Sequence, residues 1–185
     1  MQMPIPTSPH AAPIASPGPA KPFGARHARR TRPLVFLAED DTDLRRLLGD
    51  WLREAGYDVL LASTGHDMLK LLTAASRDEI PVPDAFVMDV RMPRCSGIEV
   101  LCALRLADWQ QPAIMITGFG DPSLHQKAAD YGASVILDKP IDAEDLVDML
   151  DLLLRLAHAE VMKPTRVADT AEDDREPVTL RCPQE

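Results

Sequence analysis

The sequence predicts an α/β domain in which five strands alternate with five helices and lie in one parallel sheet covered on both faces. Three observations carry this. Short apolar runs of strand length recur along residues 34–139, as expected of strands buried on both sides. Apolar residues at helical spacing fill the intervals between them. The connections are short, which suits repeated βα units.

Leu34–Ala38 reads as the first strand. Asp41 or Thr42 can cap the helix that follows, with Leu44, Leu47, Leu48 and Leu52 at helical spacing and Gly56 as its stop. Asp58–Ala62 is the second strand, and residues 64–76 the second helix, with Met68, Leu69, Leu71 and Leu72 apolar. Ile80, Pro81, Val82 and Pro83 make a breaker-rich loop. Ala85–Met88 is the third strand and ends at Asp89. Ser96 can cap a helix carrying Ile98, Leu101, Cys102 and residues 104–106. Ala113–Ile116 is the fourth strand, ending at Thr117, with Gly118 and Gly120 as a flexible loop. A helix over 122–131 stops at Gly132; Ser134–Leu137 is the fifth strand, and Lys139-Pro140 a turn. Asp142 can cap the last helix, with Leu146, Met149, Leu150, Leu153 and Leu156.

The 185 residues therefore divide into a basic arm over 1–33, a folded body over 34–158 and an acidic tail over 159–185. The arm holds eight prolines, five basic residues (Lys21, Arg26, Arg29, Arg30, Arg32) and no Asp or Glu. It has too few large apolar side chains to fold, so disorder is expected there and in the tail. Residues 34–160 carry 11 Lys/Arg against 23 Asp/Glu. So acidic a body disfavours direct DNA binding, which needs clustered cations. No stretch spans a bilayer and no signal-peptide segment is evident, so a soluble cytoplasmic protein is expected. Cys95, Cys102 and Cys182, odd in number and scattered, do not read as a disulfide framework, and Cys95 and Cys102 lack the second pair a zinc site needs and are expected to be reduced thiols. His66, His125 and His158 read as surface residues, Met88 and Met115 as core, and Trp51 and Trp109 as packing residues.

A parallel sheet places its chemistry beyond the carboxyl ends of its strands. The first strand ends in Glu39, Asp40 and Asp41, the third in Asp89, the fourth in Thr117, and the fifth near Lys139. Converging carboxylates repel one another and call for a hard divalent cation, for which Mg²⁺ with one or two carboxylates and water suffices. A metal, a carboxylate nucleophile, a hydroxyl and an ammonium together suit phosphoryl transfer to a carboxylate, yielding an acyl phosphate.

With these residues in that order, Glu39-Asp40, "AFVMD" followed by "VRMPRCSG", "IMITG" and "LDKP", the chain resembles the receiver domain of two-component response regulators. The resemblance covers about residues 34–158. It implies a flavodoxin-like, doubly wound (βα)5 fold, a phosphoacceptor that is not a turnover enzyme, and a phosphoryl donor that is a histidine kinase or a histidine phosphotransfer protein. It further implies that Asp89 is the phosphoacceptor. Asp40 matches the direct ligand for Mg²⁺ or Mn²⁺, Glu39 the second acid, and the Arg91 backbone carbonyl the remaining protein ligand. Thr117 matches the switch hydroxyl and Lys139 the lysine that pairs with the phosphoryl group. Gly97 fits the turn after the third strand, and the Lys139-Pro140 bond is often cis in the family. The usual aromatic switch position falls on Ile136, and Phe119 stands where it could shield an acyl phosphate.

Other readings were weighed. A dehalogenase-type phosphohydrolase would want an acid where Arg91 stands, and a flavin or nucleotide binder would want a phosphate loop where the chain has Glu39–Asp43. A receiver-like binding module that works without phosphorylation stays open. Output is expected through protein contact, at about residues 121–157, with a downstream protein or a second copy.

Overall fold

The computed structural model describes residues 30–118 and 122–161. The elements run β1 (Leu34–Ala38), α1 (Thr42–Glu54), β2 (Asp58–Ala62), α2 (Gly65–Ser76), β3 (Ala85–Asp89), α3 (Gly97–Leu106), β4 (Ala113–Gly118), α4 (Pro122–Asp130), β5 (Val135–Lys139) and α5 (Ala143–Val161). All pairings are parallel, in the order β2-β1-β3-β4-β5. The expected architecture is therefore present. Its edges differ slightly: β5 begins and ends later than the apolar run suggests, and α5 continues to Val161.

Alternation along the strands sorts the core into two layers. Phe36, Phe86, Met88 and Met115 pack beneath α2, α3 and α4, with Trp109, Met68 and Leu101 among them. Val35, Leu37, Val87, Ile114 and Ile116 pack beneath α1 and α5, against Leu48, Leu52, Leu146 and Leu150. Phe36, Phe86 and Trp109 meet edge to face. Helix starts follow the sequence signals. Asp41 caps α1 by accepting from the amides of Asp43 and Leu44, Thr64 caps α2, and Ser96 with Glu99 forms a capping box on α3. Gly56 turns the chain out of α1 at φ +99°.

Arg30 and Arg32, assigned above to the arm, are bonded to the body. The Arg30 guanidinium lies 2.5 Å from Asp84 Oδ2, which also accepts the Leu34 amide at 2.6 Å. Arg32 donates to the carbonyls of Gly56 and Arg53. The remaining expectations for the arm, for Phe119 and Gly120, and for the tail beyond 161 lie outside the described residues. Cys95 is a buried free thiol, raised to about 11 by burial and by Glu99. Cys102 is disulfide-bonded, against the expectation of a reduced thiol, and its partner is not among the described residues. No helix among the described residues is long and apolar enough to cross a membrane.

Asp84 is almost fully buried, so removing its cation leaves a poorly compensated charge. Arg30→Ala is expected to cost about 2 kcal/mol in urea unfolding, because the Leu34 amide still serves Asp84. A chain starting at residue 34 should lose more, because it also lacks Arg32 on the Gly56 and Arg53 carbonyls and the Pro33 carbonyl that accepts the Asp58 amide.

Candidate functional site

The strand ends bring the acids together through the register of the sheet. Ala38 pairs with Met88, so the next residues, Glu39 and Asp89, leave adjacent strands side by side. Both share the side-chain parity of Val35, Leu37 and Val87 and point to the α1/α5 layer. Leu137 and Lys139 have the same parity on β5. That common parity lets one lysine reach both acids. The Lys139 ammonium lies 2.7 Å from Asp89 Oδ1 and 2.9 Å from Glu39 Oε2. The Lys139-Pro140 bond is cis.

Glu39 is 1% exposed and Asp89 3%. Burial pushes the Glu39 carboxyl above its ordinary range, and the Asp89 charge adds to this; the Lys139 hydrogen bond and the Asp41 amide act the other way. Burial alone would lower Lys139, yet its bonds to Asp89 and Glu39 raise it overall. Asp40 is exposed. Oxygens of Glu39, Asp40 and Asp89 all lie within 4.8 Å of one another. A single hard cation holds its oxygens no more than about 4–5 Å apart, so this all-oxygen set fits one divalent ion.

Two further features shape the site. The Arg91 amide donates to Asp89 Oδ2 at 2.6 Å, which fixes the carboxylate at the start of the turn. Thr117, near the end of β4, is fully buried, and its Oγ1 has no hydrogen-bond partner among the described residues. A buried hydroxyl left unpaired is costly and calls for a reason. Ile136 is half-buried and packs on the α2/α3/α4 layer.

Sequence reasoning missed Arg45. Its guanidinium donates to the Glu39 carbonyl at 2.6 Å, to the Asp40 carbonyl at 3.2 Å and to Thr42 Oγ1. It holds the acidic loop from the first turn of α1. The signal available was a cation one helical turn after an acidic strand end, which is common on solvated helices and so carries little weight. Gly97 has a stronger reason than a general turn preference: a Cβ there would sit 2.1 Å from the Asp89 carbonyl oxygen. Only glycine lets α3 start against the end of β3.

Comparison with known proteins agrees with this geometry. Residues 35–151 match the family model described as the response regulator receiver domain. The transcriptional regulatory protein PdtaR of Mycobacterium tuberculosis (strain CDC 1551 / Oshkosh) is 33% identical over 139 residues, covering 73% of this chain and 61% of that protein. The transcriptional regulatory protein CpxR of Escherichia coli K12 is 35% identical over 124 residues, covering 67% of this chain and 50% of that protein. The chain thus spans about half to three-fifths of the length of these relatives. The chemotaxis protein CheY4 of Vibrio cholerae superposes with a TM-score of 0.58 at 27% identity, covering 66% of this chain and 98% of that one. A receiver domain protein from Clostridium thermocellum shares the fold with a TM-score of 0.63 at 23% identity, covering 69% and 98%. A receiver model matched over five βα units, with the acids, hydroxyl and lysine at the strand ends, places this chain in the response-regulator receiver family.

Proposed function

We propose that the protein is a phosphoacceptor in a two-component or phosphorelay system, carrying the phosphoryl group on Asp89. In this reading an Asp89 carboxylate oxygen attacks the phosphorus of a phosphohistidine on a sensor kinase or phosphotransfer protein. The new P–O bond forms as the P–N bond breaks, and the donor imidazole leaves with the electron pair and takes up a proton. Little covalent work falls to the protein; positioning and charge neutralisation carry the reaction. The Arg91 amide orients the carboxylate. Lys139 follows the developing charge on the phosphoryl oxygens as a point charge. The Thr117 hydroxyl donates to one of them. Glu39, Asp40, Asp89 and the Arg91 carbonyl would hold a Mg²⁺ or Mn²⁺ ion, which supplies charge neutralisation to the transferring group. The observation that carries this reading is the bonded trio of Asp89, Glu39 and Lys139, with the buried Thr117 one residue past the Asp89–Ile116 pair of the ladder and its hydroxyl without a partner among the described residues. The protein acts in the cytoplasm and passes its signal by protein contact at about residues 121–157, not by touching DNA itself. A shift between two pre-existing states suffices for that output.

A second reading, a receiver-like module independent of phosphorylation, draws on Ile136 at the position where the family's aromatic switch usually stands. Intact-mass spectrometry after incubation with acetyl phosphate and Mg²⁺ separates the two. A gain of one phosphoryl group is expected, lost in Asp89→Asn and without Mg²⁺. No gain under conditions that label another receiver would favour the second reading. Thr117→Val tests the hydroxyl. It should stabilise the unmodified protein by about 1 kcal/mol, since an unpaired buried hydroxyl is replaced by its apolar isostere. It should also shrink the rise in melting temperature that beryllofluoride, an acyl-phosphate mimic, gives the wild type. Destabilisation without beryllofluoride would mean that Thr117 is already bonded.

A further inference from the structure

We infer that the groove between α4 and β5 receives this chain's own basic arm, with the Phe23 side chain as the anchor. The groove holds about 440 Å³ and is lined by Pro122, His125, Gln126, Ala129 and Ile136. Its two polar residues are turned to acids at the rim: the His125 ring lies 2.9 Å from Asp138 Oδ1, and the Gln126 amide donates to Asp130 at 2.7 Å. Pro122, Ala129 and Ile136 remain as an apolar floor. Ala128 is the fully buried residue of α4, so the helix stands clear of the sheet beside Ile136. Pockets of this size accept whole small ligands, and one aromatic side chain fits with room to spare.

Charge names the flanks of the occupant. The two elements that form the groove carry Asp130 and Asp138 at its rim against Lys127 and Lys139, and Lys139 is engaged by Glu39 and Asp89. A segment docking here should be cationic around an apolar anchor. Phe23 is the one aromatic residue before Phe36, and Lys21 and Arg26 bracket it in an arm without a single acid.

The point of attachment puts this segment within reach. Arg30 is fixed to Asp84, four residues before Met88, which lies level with Met115 and Ile136 across β3, β4 and β5. Four residues up and two strands across place Ile136 roughly 16 Å from Asp84. The seven residues from Arg30 back to Phe23 extend to about 23 Å, enough to pass around the α3–β4 connection. So short a tether gives a millimolar effective concentration, at which a weak contact is occupied without a second molecule. Anything else that enters the groove must displace the arm. The inference does not depend on phosphoryl transfer.

Methyl NMR of the full chain tests it. The Ile136 and Ala129 methyls are compared in the wild type, in Phe23→Ala and in a Lys21→Glu, Arg26→Glu double variant, with Ile116 on the opposite layer as control. An unchanged Ile116 shift shows that the variants leave the body intact. The ring-current shift at Ile136 and Ala129 should be lost in Phe23→Ala, weakened in the charge variant and by high salt, and unchanged on dilution. Identical Ile136 and Ala129 shifts in wild type and Phe23→Ala would overturn the proposal. Shifts that fade on dilution would also overturn it, because the occupant would then be a second copy.

Discussion

Two carboxylates leave neighbouring strands at the same level and point to the same side. At an effective dielectric constant of about 20, unit charges 4.8 Å apart repel by roughly 3 kcal/mol. A domain stable by only about 5–15 kcal/mol cannot ignore such a term. Lys139 offsets it from the far side of the sheet, and it can do so because β5 delivers it with the same parity as Glu39 and Asp89. One cation does not neutralise three acids, and burial, with the Asp89 charge adding to it, holds the Glu39 carboxyl above its ordinary range. The room left for a second cation is thus a consequence of the sheet itself.

The remaining structure holds that arrangement in place. Two apolar layers clamp the sheet from both sides and fix its register. The Asp89 turn is tight because its own carboxylate binds the Arg91 amide and because Gly97 lets α3 press against the β3 carbonyl. Arg45 ties the acidic loop to α1 through the Glu39 and Asp40 carbonyls and touches none of the loop's carboxylates. At the opposite end of the strands, Arg30 and the Leu34 amide share the buried Asp84. Polar chemistry is thus confined to the two ends of the sheet, as a doubly wound fold requires.

Much of this is legible in the sequence because local signals and the global pattern agree. The apolar runs, the caps at Asp41, Thr64 and Ser96, and the acids at strand ends all point to one topology. The site residues follow once the strands are placed, since position at a carboxyl end needs no tertiary knowledge. What could not be read depends on contacts between distant residues. Arg30 looks like one more charge of a solvated arm until Asp84, 54 residues away, is seen beneath it. Arg45 looks like an ordinary helix cation. The later start of β5 arises because Ser134 accepts the Ala113 amide with its hydroxyl, which places it at the margin of the ladder. The unpaired state of Thr117 depends on all its neighbours at once and has no sequence signature. The reduced-thiol expectation for Cys102 failed for the same reason, since pairing is a property of space and not of spacing.

We expect a divalent ion to bind where Glu39, Asp40 and Asp89 bring their oxygens together beside Lys139. Thermal unfolding at rising Mg²⁺ concentration addresses it most directly, because a ligand that binds only the folded state raises stability in proportion to the logarithm of its concentration. The wild-type melting temperature should climb with the logarithm of Mg²⁺ concentration once the site fills, this climb should be lost in Asp40→Asn, and the same concentrations of K⁺ should not produce it. A wild-type melting temperature that does not respond to Mg²⁺, or that responds equally in Asp40→Asn, would contradict it.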